Sequence, residues 1–171
     1  MRESTATWGW DQPLGSPGLI EFDEAGGLAW SFAPPDGFDV IDDCYALNAV
    51  GPGSVWAYYY GSFPIVHVDG ALDSREVKGW ATNVAGAHAL AMLDDRAVLF
   101  GGYPPNRTRT TLGKLGADGL AIIGESGATA EGPDSIESLW VTGRGPVLHG
   151  FAGTRWYQFD SRSLAGPDSE G

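Results

Sequence analysis

The chain has 171 residues, about the length of one domain, and 43 % of them are hydrophobic, which is enough for a sizeable core. A formal net charge of −12 excludes nucleic acid and anionic membrane surfaces as favoured partners, because phosphate binding needs a cationic footprint. The single cysteine, Cys44, excludes an internal disulfide and lies in an apolar strand pattern, so we expect it to be buried.

Short strands separated by glycine-rich turns are predicted along the chain, and no window keeps helical spacing of apolar residues. We label the strands of each repeating unit A to D. The first segment has B at 6–10, C at 18–23 and D at 28–32. The second has A at 44–50, B at 54–60, C at 63–69 and D near 75–80. The third has A at 86–92, B at 96–102, C at 109–115 and D at 120–124, and the last has A at 136–142, B at 146–152 and C at 154–159.

These units repeat with a period of about 46 residues, which is typical of propeller blades. Segments 44–55, 87–98 and 136–147 align without a gap. The sequence therefore predicts an all-β, β-propeller-like domain over 1–163, with three to four four-stranded antiparallel blades (about 6–32, 44–80, 86–124 and 136–160) and a disordered tail at 164–171. The first segment lacks strand A and the last lacks a convincing strand D. Three explanations of the missing strands stay open. The chain forms a compact four-bladed ring whose terminal blades are degenerate, it is an open fragment of a larger ring, or it completes its ring by oligomerising.

The segment from Ser135 to Val141, with its continuation from Gly153 to Asp160, resembles the blade unit of regulator-type and quinoprotein-like β-propellers. Residues 18–30 are similar to the C–D hairpin of such blades. Residues 41–48 with 56–60 also resemble a group of uncharacterised bacterial propeller proteins. The resemblance covers about 18–160 and implies a fold, but no chemistry, because propellers host enzymes, sensors and scaffolds alike.

The repeat alignment places polar residues together near the start of strand A, where propeller blades converge on a channel mouth. The candidate ligand-binding residues there are Asp42, Asp43, Tyr45, His88, Asp134 and Glu137. Their carboxylates, imidazole and phenol would suit a cation or a cationic ligand group. The alternative is that the acids cap turns and the aromatic rings pack between blades. The three histidines lie on different strands, so we expect no histidine metal site and no resident cofactor. Binding of a cation by the carboxylates at the channel mouth is still allowed.

Two further features are candidates for recognition. Trp8 and Trp10 stand beside a turn and are expected to be exposed, whereas Trp56 and Trp140 follow inner-strand patterns and are expected in the core. The loop at 101–110 is longer than its counterpart in the preceding blade and is basic in an acidic chain. It contributes Tyr103, Arg107 and Arg109 as candidates for contact with an acidic group, the alternative being a tolerated surface insertion.

These observations favour a non-catalytic recognition or scaffold module that binds a partner protein or a small neutral or cationic ligand at one propeller face. The alternative is a hydrolase or lyase, with Asp43 and Glu137 as acid–base groups and His88 assisting. A third hypothesis is carbohydrate binding through exposed tryptophan. No apolar stretch reaches the roughly 18 residues of a membrane span, and residues 1–5 lack a signal peptide's apolar core. We therefore expect a cytoplasmic protein. Homo-oligomerisation is one of the three ways in which its incomplete ring could be accommodated.

Overall fold

The computed structural model describes residues 15–127 and 139–163, and within these ranges the chain forms four antiparallel sheets. The first sheet has two strands, β1 (Ile20–Phe22) and β2 (Leu28–Ser31). The second has β3 (Cys44–Gly51), β4 (Ser54–Tyr59), β5 (Ile65–Asp69) and β6 (Glu76–Trp80). The third has β7 (Ala87–Leu93), β8 (Arg96–Gly101), β9 (Arg109–Gly116) and β10 (Gly119–Gly127). The last has β11 (Trp140–Arg144), β12 (Val147–Ala152) and β13 (Arg155–Asp160).

Each sheet is a meander in which consecutive strands are hydrogen-bonded neighbours, so the predicted strands and their order are confirmed within the described ranges. The strand bounds differ from the predicted ones by a few residues at most, apart from β11, which begins at Trp140. The predicted strand at 6–10, the start of the last unit at 136–138 and the tail at 164–171 lie outside the described residues. The other regular elements described are two 3-10 turns, Leu72–Ser74 and Ser161–Ser163.

The sheets stack face to face in chain order, with an apolar cluster between each adjacent pair. The cluster between the first and second sheets includes Phe32, Tyr59, Val66 and Val68. The cluster between the second and third includes Trp56, Tyr58, Ile65, Leu90 and Leu99. The cluster between the third and last includes Ala91, Val98, Phe100, Val141 and Leu148. Because alternate residues of β4 face opposite clusters, both faces of the second sheet are buried, as its unbroken apolar sequence predicts.

The first strands of the last three sheets, β3, β7 and β11, lie against one another. Asn48 on β3 is fully buried at this junction. Its amide nitrogen donates to the carbonyl oxygens of Leu90 (2.8 Å) and Gly145 (2.9 Å), and its oxygen accepts from the Gly145 amide (2.7 Å). A buried side-chain amide with all these partners adds directional bonds to an apolar junction, and so fixes how the three sheets meet.

The first sheet is attached by Arg75, which precedes β6 and whose side chain is only 6 % exposed. Its guanidinium donates to the Glu21 carboxylate on β1 and lies 5.0 Å from the ring centroid of Trp30 on β2. One side chain therefore combines an ion pair and a cation–π contact between two sheets.

Two sequence expectations about burial are wrong. Cys44 is exposed, because it is the first residue of β3 and precedes a bulge at the sheet edge. Trp140 is 67 % exposed. It alternates with Val141, which packs on the third sheet, so the indole faces the side of the last sheet on which no other described sheet packs.

Candidate functional site

The same irregularity occurs at equivalent positions of the second and third sheets. Tyr45 is an extra residue between Cys44 and Ala46, which pair with consecutive residues of β4. His88 is an extra residue between Ala87 and Ala89, which pair with consecutive residues of β8. Such bulges redirect a side chain and are common beside functional sites. The repeat alignment that equates Tyr45 with His88 therefore corresponds to a shared backbone feature.

Tyr45 belongs to a cluster of aromatic rings at the junction of the second and third sheets. Its hydroxyl lies 2.9 Å from that of Tyr103, which comes from the loop after β8. This bond, with burial and nearby charge, raises the pKa of Tyr45 to about 12. Phe63 is at the centre of the cluster, with centroid distances of 5.7–6.0 Å to Tyr45, Tyr58, Tyr60 and Tyr103.

The backbone of Phe63 has φ of +53°, a left-handed conformation that is costly for a bulky residue. Such strain is held in place only where the surroundings over-determine it, and it concentrates at functional sites. Here the four tyrosine rings around Phe63 supply that packing. The aromatic cluster is therefore a rigid support for the hydroxyl pair at its surface.

His88 opens onto a cleft of about 210 Å³, which we call the His88 cleft. Its described lining consists of His88, Phe100, Gly102, Tyr103, Pro104, Arg107 and Leu139. The imidazole packs edge-on to the Phe100 ring, with centroids 5.4 Å apart. This partial burial lowers the pKa of His88, so the ring is neutral at pH 7. A neutral imidazole offers one hydrogen-bond donor and one acceptor to a ligand.

Two glycines make this arrangement possible. Gly101 has φ of +98°, and a Cβ there would overlap Nδ1 of His88. Gly86 has φ of +73°, and a Cβ there would lie 2.9 Å from the Tyr103 ring and backbone. Any larger residue at either position would displace the imidazole or the phenol from the cleft.

The two arginines of the long loop face different surroundings. Arg109, at the start of β9, forms an ion pair with Glu125 of β10, with Nη1 and Oε1 3.6 Å apart. That pair lines a second depression of about 240 Å³, which shares no described lining residue with the His88 cleft. Arg107 lines the His88 cleft and forms no ion pair with any residue in the described ranges. The residues described around that cleft include one arginine and one histidine, and none is acidic.

The remaining sequence candidates divide into two groups. Asp42 and Asp43 form an exposed bend before β3, where the Asp43 carbonyl accepts from the Tyr60 amide (2.9 Å). The charge of Asp43 contributes to the raised pKa of Tyr45, which places this carboxylate near the hydroxyl pair. Asp134, Glu137, Trp8 and Trp10 lie outside the described residues. The structure thus brings together Tyr45, His88, Tyr103 and Arg107, which the sequence had assigned to two separate features.

The other two histidines have their own partners. His67 stacks on Trp56 at a centroid distance of 3.9 Å, and its Nε2 lies 2.8 Å from the Ser54 hydroxyl oxygen. His149 accepts a hydrogen bond from the Trp156 indole (3.2 Å). Over residues 15–127 and 139–163, no group of three histidine, cysteine or acidic side chains is arranged to hold a metal ion.

Sequence reasoning missed Phe63, Phe100 and Leu139 as parts of the site. Phe63 follows the turn at Gly61-Ser62 and precedes Pro64, a context that predicts only a turn. Phe100 and Leu139 belong to ordinary apolar strand patterns. A usable signal was the insertion after β8, because a long loop beside a bulged strand is expected to fold over its neighbours.

A second surface stands out on the last sheet. Trp140, Phe151 and Trp156 come from three adjacent strands and share one face, which we call the aromatic face. Trp140 is 67 % exposed and Trp156 is 60 % exposed. The rings of Phe151 and Trp156 are nearly parallel, with an interplanar angle of 2° and centroids 6.4 Å apart.

No family model matches this chain, and no curated protein matches it. In the described part of the chain there is no helix with the length and apolarity needed to cross a membrane.

Proposed function

We propose that the chain is a non-catalytic recognition module, a propeller-like array that binds a small ligand in the His88 cleft. The propeller-like arrangement is supported by the A-to-D order repeated in the second and third sheets and by the mutual contact of β3, β7 and β11. In a propeller, the starts of such inner strands surround the mouth where ligands commonly bind. Tyr45 and His88 stand at two of these starts.

The observation that carries the proposal is the convergence of distant segments on one concave surface. His88 comes from β7, Tyr103 and Arg107 from the loop after β8, and Leu139 from the chain just before β11. The hydroxyl bond from Tyr45 adds the second sheet to this set. A cleft with an apolar floor and a few convergent polar groups is the usual form of a ligand site.

Binding rather than turnover is favoured by what His88 contacts. Its ring packs on Phe100 and against the backbone of Gly101, and no described carboxylate orients it. General-base catalysis by histidine commonly uses a partner that fixes the tautomer and the ring orientation. An enzyme using Asp43, Glu137 and His88 remains the rival, and it predicts substrate turnover with a pH optimum.

The test is a titration with a fragment set containing anionic, neutral and cationic compounds, followed by NMR of the histidine rings. The chain has three histidines, so His88 can be assigned by a His88→Gln variant, while His149 on the last sheet serves as an internal control. Saturable shifts of His88 with an unmoved His149 would support the proposal. Failure of every compound, whatever its charge, to move His88 would overturn it. Chemical conversion of a bound compound would favour the enzyme.

The aromatic face supports a second candidate, carbohydrate binding, because exposed aromatic rings stack on the apolar faces of sugars. The exposed tryptophans that would bind the sugar are Trp140 and Trp156, whereas the sequence-based hypothesis assigned that role to Trp8 and Trp10. Titration with neutral oligosaccharides should then quench tryptophan fluorescence, and Trp156→Ala should abolish that change. Light scattering in the same experiment separates sugar binding from self-association through this face.

A further inference from the structure

We infer that the His88 cleft selects small molecules that carry a carboxylate on a flat apolar group, an inference that rests on the proposed function. The positive group of the site is Arg107, an exposed residue that lines the cleft and has no ion-pair partner among the described residues. Guanidinium and carboxylate groups match as a pair of parallel, charge-assisted hydrogen bonds. Arg109, two residues away, has its own carboxylate neighbour, because its Nη1 lies 3.6 Å from Oε1 of Glu125.

The overall charge of the chain makes an unpaired arginine in this position informative. The sequence has 22 acidic residues against ten lysines and arginines, so acidic neighbours are abundant. Nevertheless, none of the described residues that line the cleft is acidic, and the Asp43 carboxylate near the Tyr45 hydroxyl is not part of that lining. A cationic ligand in the cleft would meet Arg107 with no carboxylate among the described lining residues, which disfavours the cationic ligand that the sequence suggested for the mouth.

The rest of the lining suits a flat apolar group. Phe100, which is 6 % exposed, lines the cleft together with Leu139, Pro104 and Tyr103. Aromatic rings pair well with a planar partner in offset or edge-on geometry. The volume of 210 Å³ equals roughly seven water molecules at about 30 Å³ each, which is the size of a single substituted ring.

Besides Arg107, the Tyr103 hydroxyl and the His88 ring can donate hydrogen bonds to the carboxylate of the ligand. If the Tyr45 hydroxyl donates to that of Tyr103, the Tyr103 hydroxyl keeps its own proton for a ligand oxygen. His88 lies on the same cleft and has a ring N–H to donate. Arg107 supplies charge and fork geometry, and Tyr103 and His88 supply single neutral donors.

The test compares three probes by NMR of His88 in the full chain: benzoate, its neutral isostere benzamide, and inorganic phosphate. We expect benzoate to bind in preference to both. Arg107→Gln should weaken benzoate binding by about tenfold or more and leave benzamide unchanged, because one charge-assisted interaction is lost. Arg107→Lys should retain part of the affinity. Arg144→Gln is the matched control, since that exposed arginine lies at the opposite end of β11 from Leu139 and should not alter binding.

Three outcomes would overturn this inference while the proposed function stands. Equal affinity for benzamide and benzoate would remove the role of charge. Phosphate binding as tight as benzoate binding would reduce the cleft to a simple anion site. Benzoate binding that appears only after Glu137→Gln would show that the chain's own carboxylate neutralises the cleft. Failure of all compounds in the broader fragment set would instead overturn the proposed function itself.

Discussion

Strands β4 and β13 each carry three aromatic residues but have opposite surroundings. β4 carries Trp56, Tyr58 and Tyr59, which are 7 %, 0 % and 0 % exposed. β13 carries Trp156, Tyr157 and Phe159, which are 60 %, 45 % and 40 % exposed. β4 is an interior strand of a sheet with another sheet packed on each face, whereas β13 is the last described strand of its sheet. Burial of an aromatic side chain in this array thus depends on the position of its strand as well as on the local sequence.

The largest effect should come from removing one tryptophan from each strand. Trp56→Ala should lower the free energy of unfolding by about 3–5 kcal/mol, because it leaves a cavity where the indole stacks on His67 and Trp80. Trp156→Ala should cost less than about 1 kcal/mol, as is usual for an exposed side chain. Urea unfolding of both variants measures the difference. Equal losses would mean that β13 is covered in solution.

The next effect concerns the link between the central sheets and the last one. Asn48→Ala should cost about 2–4 kcal/mol, because the Leu90 carbonyl loses the Asn48 donor, the Gly145 amide loses its acceptor, and the Gly145 carbonyl keeps only the bond from the Met92 amide. Hydrogen exchange should accelerate in β11 and β12 more than in β4. Asn83→Ala provides the control, since Asn83 is exposed and should be replaceable at almost no cost. A uniform acceleration over all sheets would contradict the assigned role.

A smaller effect is expected at the first sheet, which has only two described strands and is held through Arg75. Arg75→Met should cost about 1–2 kcal/mol, because it removes both the Glu21 ion pair and the contact with the Trp30 ring. Lys78→Met removes the exposed pair with Glu76 and should change stability by no more than about 0.5 kcal/mol. Parallel denaturant titrations compare the two. Equal costs would show that burial of Arg75 adds nothing.

The sequence predicts the strands well because alternation, glycine turns and the repeat are local properties. β3 to β10 follow the predicted units closely, and the fully apolar stretch of β4 correctly indicates a strand buried on both faces. Trp140 and Cys44 were misjudged because their exposure depends on which sheet lies opposite, and periodicity does not carry that information.

The candidate site could be predicted only in part. The repeat alignment correctly paired Tyr45 with His88 at matching bulges, since a repeated sequence position implies a repeated backbone position. It could not show that the loop after β8 folds back so that Tyr103 reaches Tyr45, because that contact joins residues 58 positions apart. It also could not separate Arg107 from Arg109, which differ only in the neighbour that each side chain meets.

The smallest expected effect is a pH dependence that originates at His67, beside Trp56 in the second sheet. Burial lowers the pKa of His67 below the ordinary value of 6.5; Asp69 opposes this shift and Lys78 adds to it. Below pH 6.5 the unfolded chain therefore binds a proton more readily than the folded chain does. The free energy of unfolding must then fall as the pH decreases from 6.5 until His67 is protonated in the folded state as well.

His67→Gln should flatten this fall, measured as the change in urea midpoint between pH 7 and pH 5, a range above the ordinary titration of carboxyl groups. His88 contributes in the same direction, because burial also lowers its pKa, so the double variant with His88→Gln should be flatter still. Stacking on Trp56 keeps His67 from solvent only while β4 and β5 remain buried by the adjacent sheets. An unchanged slope in the double variant would mean that these faces admit water, and the contrast between β4 and β13 would then be smaller than their exposures indicate.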